Sequence, residues 1–259
     1  FPRVGVIGSG QLAQMMLAPA AALGIDLISL ANSSKDSAAQ SSPHIVGDYR
    51  DLDTVRKFAE GCDLVTFEHE LIPISIIRTL EAEGIKFSPS ADSFQYSQDK
   101  ALMRQKLAHL PNPKWIVVTA TDVPADWNFP AIAKSISGGY DGRGVWKVNS
   151  KDELIELLKE IPKLLLEELI DFDFEIAVMV ARSAHGQAAT WAPTRTVQRD
   201  GICIETVTPV PEFNDEQSET AQNLALQIAE EIKLIGVMAV EIFVKKDQLL
   251  INELALRPH

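Results

Sequence analysis

The chain has 259 residues, 46% of them hydrophobic, which allows one large domain or two small ones with buried cores. Its formal net charge of -12 disfavours long-range attraction to nucleic acid or anionic lipid, so we expect neither as a partner. Cys62 and Cys203 form neither a disulfide framework nor a zinc-ligand pattern, which fits a reducing cytoplasm. No apolar run approaches the roughly 20 residues that span a bilayer. We therefore expect a cytoplasmic protein without a membrane segment.

The first 95 residues alternate short apolar strands with helices. Strands are predicted at residues 4–7, 25–30 and 63–67, and helices at 11–23 and 51–60. Such alternation is typical of a parallel sheet with helices on both faces. This pattern predicts a small α/β domain at residues 1–95.

A second unit of mixed character follows. The helix predicted at 99–110 ends at Pro111 and Pro113, because proline cannot continue a helix. Beyond it, β-branched residues concentrate in short runs that are typical of strands. These runs cover residues 115–119, 131–135, 145–148, 175–180, 237–244 and 249–254, with one helix at about 215–234. We therefore predict an α+β domain at 96–259 whose last two strands form an antiparallel hairpin.

A glycine motif at residues 8–13, with the pattern G-x-G-x-x-A, lies between a predicted strand and a predicted helix. This setting presents backbone N–H groups to a phosphate. A dinucleotide site would also need an acidic residue about 20 positions later, and the second strand ends in Leu30, Ala31 and Asn32. NAD is therefore disfavoured. The glycines either permit only a tight turn or bind a substrate phosphate.

A second glycine-rich segment covers residues 134–144 and contains four glycines between two predicted strands. Its backbone could close over a triphosphate, while Lys134 on the preceding strand supplies a point charge. We expect this lysine to have little packing. The segment is not a P-loop, and in a protein kinase the lysine would follow the glycines. A flexible hairpin loop is the alternative interpretation.

Two carboxylates, Glu241 and Glu253, interrupt the apolar strands of the last hairpin. If residues 246–248 form the connection, these glutamates lie directly opposite each other on one face. Close carboxylates repel unless a cation lies between them, and a few oxygen ligands suit Mg²⁺ carried by a nucleotide phosphate. The alternative is that both side chains simply point to solvent.

Taken together, these features resemble the ATP-grasp superfamily, whose nucleotide lies between two α+β subdomains under a glycine-rich loop. The stretches VIGSGQLAQMM, TFEHE, SGGYDGRG and NELALRPH are similar, in order and spacing, to signatures of the N5-carboxyaminoimidazole ribonucleotide synthetase family. The resemblance covers essentially the whole chain. It implies a Rossmann-like pre-ATP-grasp domain at 1–95 and an ATP-grasp domain at 96–259, with a lid subdomain at about 112–172. Because family members continue beyond RPH, it also implies that a small C-terminal domain is missing.

The resemblance assigns roles to the residues that match the family pattern. ATP would be bound by Lys100, Lys134, Gly139, Gly142, Gly144, Glu167, Leu169, Glu175, Gln198 and Asn252, and magnesium by Glu241 and Glu253. The substrate would be bound by Gly10, Gln11, Leu12 and Glu70, although the neighbouring Glu68 is an alternative to Glu70. The catalytic residues would be Tyr140, Asp141, Arg143, Arg257 and His259. The chain departs from the family pattern at Arg195 and Thr196, where a glutamate and often an asparagine are usual.

The implied activity is that of an ATP-dependent ligase of purine biosynthesis, acting as a homodimer. It would carboxylate 5-aminoimidazole ribonucleotide with bicarbonate through carboxyphosphate, using ATP and Mg²⁺. Two alternatives remain open at this point. One is a related ATP-grasp ligase that acts on another acceptor, and the other is a nucleotide-binding protein without turnover.

Overall fold

A computed structural model of the chain describes residues 1–138, 143–199 and 201–259. Its described strands form three sheets, with four, four and six members. One sheet belongs to the N-terminal α/β unit, and the other two belong to the α+β unit that follows.

The N-terminal sheet is parallel throughout, as the strand-helix alternation predicts. Its strands are β1 (Arg3–Ile7), β2 (Asp26–Ala31), β3 (His44–Val46) and β4 (Leu64–Phe67), and its helices are α1 (Gln11–Ala22), α2 (Leu52–Ala59) and α3 (Ile74–Ala82). The strand order is β3-β2-β1-β4. Because β1 and β4 are neighbours, the loops that follow them lie side by side at the carboxyl edge of the sheet, where α/β folds bind ligands.

Two short helices, α4 (Ala91–Gln98) and α5 (Lys100–Lys106), connect the two units. The sequence predicted a single helix that continues to residue 110, and this is wrong at its end. The side-chain amide of Asn112 donates hydrogen bonds to the carbonyls of Leu107, at 2.6 Å, and Leu110, at 2.9 Å. These hydrogen bonds hold the chain in a turn after α5, so the helix ends before it reaches the prolines.

The lid sheet is antiparallel and has the order β5-β8-β6-β7. Its strands are β5 (Trp115–Thr119), β6 (Ala131–Ser135), β7 (Val145–Val148) and β8 (Lys163–Glu168), and α6 (Lys151–Glu160) packs against it. Aliphatic side chains of its buried face, including Val118, Leu164 and Leu166, form a core of their own with Leu154 of α6.

The large sheet has the order β12-β11-β9-β13-β14, with β10 added alongside β9. It consists of β9 (Phe174–Arg182), β10 (Ala188–Thr190), β11 (Thr194–Arg199), β12 (Ile202–Val207), β13 (Gly236–Lys245) and β14 (Gln248–Ala255), and it is accompanied by α7 (Asp215–Glu231). Side chains from this sheet, from α7 and from the N-terminal unit share one continuous core. Every helix in the described part of the chain is too short or too polar to span a membrane.

The turn between β13 and β14 contains two residues, Lys246 and Asp247, because Lys245 pairs with Gln248. The three-residue connection expected from the sequence is therefore wrong. Lys246 has a φ of 55°, a left-handed conformation that a two-residue hairpin turn requires at its first central position.

A β-bulge in β14 compensates for the shorter turn. Ile242 pairs with Ile251, but the next residue of β13, Glu241, pairs with Glu253, so Asn252 is the extra residue. In a bulge, two residues of one strand face one residue of the other. The predicted pairing of the two glutamates is therefore found, although a bulge produces it and not the turn.

Candidate active site

A cleft of about 1450 Å³ opens where the three sheets meet. Its walls come from the loops after β1 and β4, from β6 and β8 of the lid, and from β9, β13 and β14 of the large sheet. The predicted site residues that line it are Gly10, Gln11, Leu12, Glu70, Lys100, Lys134, Glu167, Leu169, Glu175, Gln198, Glu241, Asn252, Glu253, Arg257 and His259. The fold thus brings together residues that lie up to 249 positions apart in the chain.

Several predicted residues belong to the glycine-rich loop of the lid. Gly139, Tyr140, Asp141 and Gly142 lie outside the described residues. Arg143 is exposed. The carbonyl of Gly144 accepts a hydrogen bond from the backbone N–H of Ser135, at 2.8 Å, which closes the base of the loop against β6.

Lys134 lies on β6 and is only 5% exposed. Its Nζ is 2.9 Å from Glu167 Oε2 and 3.9 Å from Glu253 Oε1, and it donates to Asn252 Oδ1 at 3.0 Å. The expectation that this lysine has little packing is therefore wrong. Lys134 joins the lid sheet to the hairpin of the large sheet across the cleft.

Lys100 is a second buried cation at the cleft, and its Nζ is 3.1 Å from Glu253 Oε2. It is the first residue of α5, where the side chain of Asp99 caps the helix by accepting from Leu102 N at 2.8 Å. The backbone N–H of Lys100 donates to Ile136 O at 2.9 Å. This bond fixes the start of α5 next to the loop that follows β6.

Glu167 on β8 is 2% exposed and is held by two cations. Its Oε1 accepts from Arg104 Nε at 2.6 Å, and its Oε2 pairs with Lys134. Burial alone would raise the pKa of this carboxyl, but Lys134 and Arg104 outweigh burial and lower the pKa to about 2. The Glu167 side chain is therefore an anionic support for the cations, and its two carboxylate oxygens are already bound by Arg104 and Lys134.

Glu241 and Glu253 face each other, and their pKa values are shifted in opposite directions. Burial, and then the charges of Glu253 and Glu175, raise the pKa of Glu241 to about 7. Glu253 is partly buried, which favours its neutral form, but Lys100 and Lys134 reverse this and lower its pKa. Glu241 is thus a carboxylate whose negative charge is poorly balanced.

The residues around Glu241 fit a divalent cation. Asn252 Nδ2 donates to Glu241 Oε2 at 3.5 Å, a contact at the long limit of a hydrogen bond. Two carboxylates and one amide oxygen form a small set of oxygen ligands, which suits Mg²⁺ that is also bound by phosphate. Among the described residues there is no group of three or more His, Cys, Asp and Glu placed to hold a metal by themselves. A cation between Glu241 and Glu253 would relieve their repulsion.

The first glycine motif binds a carboxylate of the same chain. Glu68, which follows β4, accepts hydrogen bonds from Gly10 N at 2.5 Å and from Leu12 N at 3.1 Å. Gly8 has a φ of 107°, and a Cβ there would lie 2.6 Å from Glu68 Oε2 and 2.9 Å from Glu68 Cβ, so this position requires glycine, whereas a Cβ at Gly10 would displace the Glu68 carboxylate. Glu68 therefore occupies the anion position at the N-terminus of α1, which has no side-chain cap of its own.

The Glu70 side chain points away from the glycine motif and contacts the residues that follow β14. Its carboxylate accepts from Leu256 N at 3.1 Å and from Arg257 Nε at 2.8 Å. His259 follows, with its Nε2 3.6 Å from Glu241 Oε1. Burial and the charge of Arg257 lower the pKa of His259 to about 4, so this imidazole is neutral near pH 7 and can accept a proton.

Two residues of the site were missed by sequence reasoning. Arg104 is fully buried behind the site, but an arginine within a helix belongs to no motif. His69 lies between the two glutamates of TFEHE and lines the cleft, and its Nε2 is buried without a hydrogen-bond partner. Burial lowers the pKa of His69. The only sequence signal for it was its place inside the motif.

The two departures from the family pattern lie on β11. Arg195 forms an ion pair with Glu212, and its guanidinium lies 5.5 Å from the centre of the Phe174 ring. Thr196 is 9% exposed and pairs with Glu175 on β9. Arg195 thus has its own partners beside the cleft wall that carries Glu175.

Comparison with known proteins assigns both units of the chain. Residues 1–98 match the family model of the ribonucleotide synthetase preATP-grasp domain, and residues 102–259 match that of the ATP-grasp domain. The N5-carboxyaminoimidazole ribonucleotide synthase of Mycobacterium tuberculosis is 41% identical over 274 residues, a match that includes all of this chain and 63% of the relative. The corresponding enzyme of Corynebacterium ammoniagenes is 37% identical, with 67% of its length covered. The chain thus spans about two thirds of the length of these relatives.

Solved structures of the same name have the same fold. An ADP complex of N5-carboxyaminoimidazole ribonucleotide synthetase superposes with a TM-score of 0.90 at 29% identity, over 100% of this chain and 71% of the other. The Aspergillus clavatus enzyme, in complex with ADP and 5-aminoimidazole ribonucleotide, gives a TM-score of 0.85 at 27% identity, over 100% and 70%. These matches, together with the two family models, show that the chain belongs to the ATP-grasp superfamily and, within it, to the N5-carboxyaminoimidazole ribonucleotide synthase family.

Proposed function

We propose that the chain binds MgATP between the lid sheet and the large sheet and supports carboxylation of 5-aminoimidazole ribonucleotide by bicarbonate, in purine biosynthesis. One observation carries this proposal. Two buried lysines face a pair of glutamates in a single cleft, and Arg257 and the two glycine motifs lie around the same cleft.

The nucleotide would lie along β8 and β14. The apolar side chains of Leu169, Phe172 and Phe243 line the cleft, and the two phenylalanine rings are stacked at 4.7 Å. Adenine would pack here and bond to the backbone of β8, while Glu175 and Gln198 would contact the ribose. The triphosphate would then extend towards Lys100, Lys134 and Asn252, with Gly139, Gly142 and Gly144 of the lid loop above it.

Glu241, Glu253 and Asn252 would hold Mg²⁺ with the phosphates. The ion would neutralise charge that moves during phosphoryl transfer. The chain itself supplies Lys100 and Lys134, which are already oriented by Glu253 and Glu167. Such preorganised charge is a large contribution to catalysis.

The reaction would proceed in two steps. An oxygen of bicarbonate attacks the γ-phosphorus, the bond to ADP breaks, and carboxyphosphate forms. The exocyclic amine of the ribonucleotide then attacks the carboxyl carbon, phosphate leaves, and the amine loses a proton. Arg143 and Arg257 would stabilise the carboxyphosphate oxygens through paired N–H donors. His259, or Asp141 of the lid loop, would accept the proton, and Tyr140 would complete this part of the site.

The substrate would bind between the N-terminal unit and the end of β14. Glu70 and the side chain of Gln11 line this part of the cleft, next to Arg257. The N–H groups of Gly10 and Leu12 would contribute only if the substrate displaced Glu68 from them. We further propose that the chain acts in the cytoplasm, in line with the absence of a cysteine framework, and as a homodimer, in line with the family resemblance.

The test is a phosphate-release assay on the purified chain, with calorimetric titration of ATP in the presence and absence of Mg²⁺. We expect Mg²⁺-dependent ATP binding, and phosphate release that requires both 5-aminoimidazole ribonucleotide and bicarbonate. Glu253→Gln should weaken binding in Mg²⁺ much more than in EDTA. Release with a different acceptor would favour a related ligase, and binding without release under any acceptor would favour a protein without turnover.

A further inference from the structure

Arg104 on α5 is completely buried, and all three of its guanidinium nitrogens donate hydrogen bonds. Its Nε donates to Glu167 at 2.6 Å, and its Nη1 donates to Asn112 Oδ1 and to Ile251 O, both at 2.8 Å. Its Nη2 donates to Asn252 O at 2.9 Å. One side chain therefore contacts the lid sheet, the loop after α5 and the hairpin of the large sheet.

Two of these contacts are made to the β-bulge. Asn252 is the extra residue of the bulge and has no partner in the ladder, and Ile251 precedes it on β14, the edge strand of the sheet. Arg104 satisfies both carbonyls. The backbone N–H of Ile251 is also bound outside the ladder, by Pro111 O at 2.9 Å. The bulge is thus held from outside the sheet by α5 and the loop that follows it.

The bulge determines which side chains face the cleft. Without the extra residue, the two-residue turn would place Glu241 opposite Asn252 and turn Glu253 to the other face of the sheet. With the bulge, Asn252 and Glu253 both reach the cleft and contact Lys134 and Lys100. Whatever stabilises the bulge therefore also places these ligands.

We propose that Arg104 is a positioning residue for the nucleotide site, because it holds both the β14 bulge and the Glu167 carboxylate and so places Asn252, Glu253 and Lys134 for a metal-bound triphosphate. The inference rests on the proposed binding of MgATP. Arg104 does not line the cleft, so it acts only through the residues that it holds.

The planar fork of an arginine is essential to this role. Four acceptors surround the guanidinium in different directions, and a lysine ammonium on a flexible stem cannot reach all of them. Lysine would nevertheless keep a second positive charge beside Glu167, which is also paired with Lys134. Arg104→Lys therefore separates the geometry of the clamp from its charge.

The experiment compares parent, Arg104→Lys and the control Arg78→Lys, which changes an exposed arginine on α3. MgATP and adenosine are titrated into each protein. We expect Arg104→Lys to lower MgATP affinity by about 10- to 100-fold, the usual effect of removing a residue that orients metal ligands. Adenosine affinity should change much less, because adenosine does not reach Glu253 or Lys134. Unchanged MgATP affinity, or an equal loss for both ligands, would overturn the proposal.

A second measurement does not depend on ATP. Hydrogen exchange should become faster in Arg104→Lys at residues 251–253, while residues 248–250 near the turn keep the parent rate. Unchanged exchange at the bulge would also contradict the proposal. If Arg104→Lys does not fold, the pair Arg104→Gln/Glu167→Gln is compared with Glu167→Gln, and equal MgATP affinity in these two proteins would refute it. Failure of the parent to bind MgATP would instead refute the proposed function, and the exchange result would still decide the role of Arg104.

Discussion

Lys134 and Glu167 are both almost fully buried, so each depends on the other for charge compensation. We predict that Lys134→Ala lowers the free energy of unfolding by roughly 3 kcal/mol, the low end of the loss for one partner of a buried pair, because Arg104 still binds Glu167. The measurement is urea denaturation without nucleotide. The expectation from the sequence, that this lysine has little packing, would instead make the mutation affect ATP binding much more than folding. A loss below about 0.5 kcal/mol, typical of an exposed ion pair, would contradict it.

A second variant separates lost charge compensation from lost packing. Lys134→Met removes the charge but largely keeps the hydrophobic stem of residue 134, while the ion pair of Arg104 with Glu167 remains. We expect Lys134→Met and Lys134→Ala to lose similar stability, because each leaves Glu167 with one cation instead of two. A much smaller loss in Lys134→Met would mean that packing and not charge dominates at this position.

Glu241 should make metal-dependent binding sensitive to pH. Its pKa of about 7 means that a proton competes with Mg²⁺ for this carboxylate in the neutral range. We predict that MgATP affinity falls by about tenfold from pH 8 to pH 6, as expected for one proton bound with this pKa. The measurement is calorimetric titration at several pH values. Glu241→Gln should bind weakly at every pH and lack this extra dependence, and a parallel curve for parent and variant would contradict the assignment.

The same carboxyl also contributes to the stability of the free protein, and the sign of this contribution follows from its raised pKa. The folded protein keeps the Glu241 proton between the ordinary pKa of 4.5 and about 7, whereas the unfolded chain has lost it. Glu241 therefore contributes stability that is fully present below pH 4.5 and is lost as the pH rises through 7. We predict that Glu241→Gln shows a smaller fall in unfolding free energy from pH 6 to pH 8 than the parent, measured by urea denaturation.

At the scale of elements, the hairpin of β13 and β14 has a turn and a bulge with separate roles. Lys246 has a positive φ that costs a non-glycine residue about 1 kcal/mol. We predict that Lys246→Gly raises the free energy of unfolding by about 0.5 kcal/mol, after part of this gain is offset by the greater freedom of glycine in the unfolded chain. MgATP affinity should stay unchanged, because the bulge and not the turn places Glu253. A change in affinity of more than a few fold would contradict this separation.

At the scale of the whole molecule, the lid sheet has a small core of its own, while the N-terminal unit and the large sheet share a larger one. Three of the four tryptophans, Trp115, Trp127 and Trp146, belong to the lid, and Trp191 lies outside it. In Trp191→Phe, tryptophan fluorescence therefore reports on the lid alone. We predict that, without nucleotide, the transition in tryptophan fluorescence occurs at a lower urea concentration than the transition in far-UV circular dichroism.

Binding of MgATP should bring the two transitions together, because the ligand contacts both sheets and stabilises only the closed arrangement. Trp191→Phe and the parent should show the same circular dichroism transition, which serves as the control for the substitution. Coincident transitions in the absence of nucleotide would mean that the contacts of Lys134 and Arg104 already make the lid one cooperative unit with the rest.

The sequence alone was sufficient for the features that depend on local patterns. The strand, glycine turn and helix at the N-terminus follow from periodicity and from the backbone freedom of glycine. The interrupted apolar strands of the last hairpin drew attention to Glu241 and Glu253, but their place on one face depends on the bulge in β14, which the sequence did not predict. The order and spacing of four motifs indicated the family, and the comparisons confirmed it.

Only the tertiary structure decided how charged groups are paired, because pairing depends on which loops and strands become neighbours in space. Glu68 fills the glycine turn because β1 and β4 are adjacent, and Glu70 reaches Arg257 because β14 ends beside that loop. Arg104 carries no local signal, since its acceptors lie 63 to 148 residues away in the chain apart from Asn112. The alternation of side chains is a property of a single strand. The bulge that Arg104 holds depends instead on contacts between α5, the loop after it and β14, which only the tertiary structure brings together.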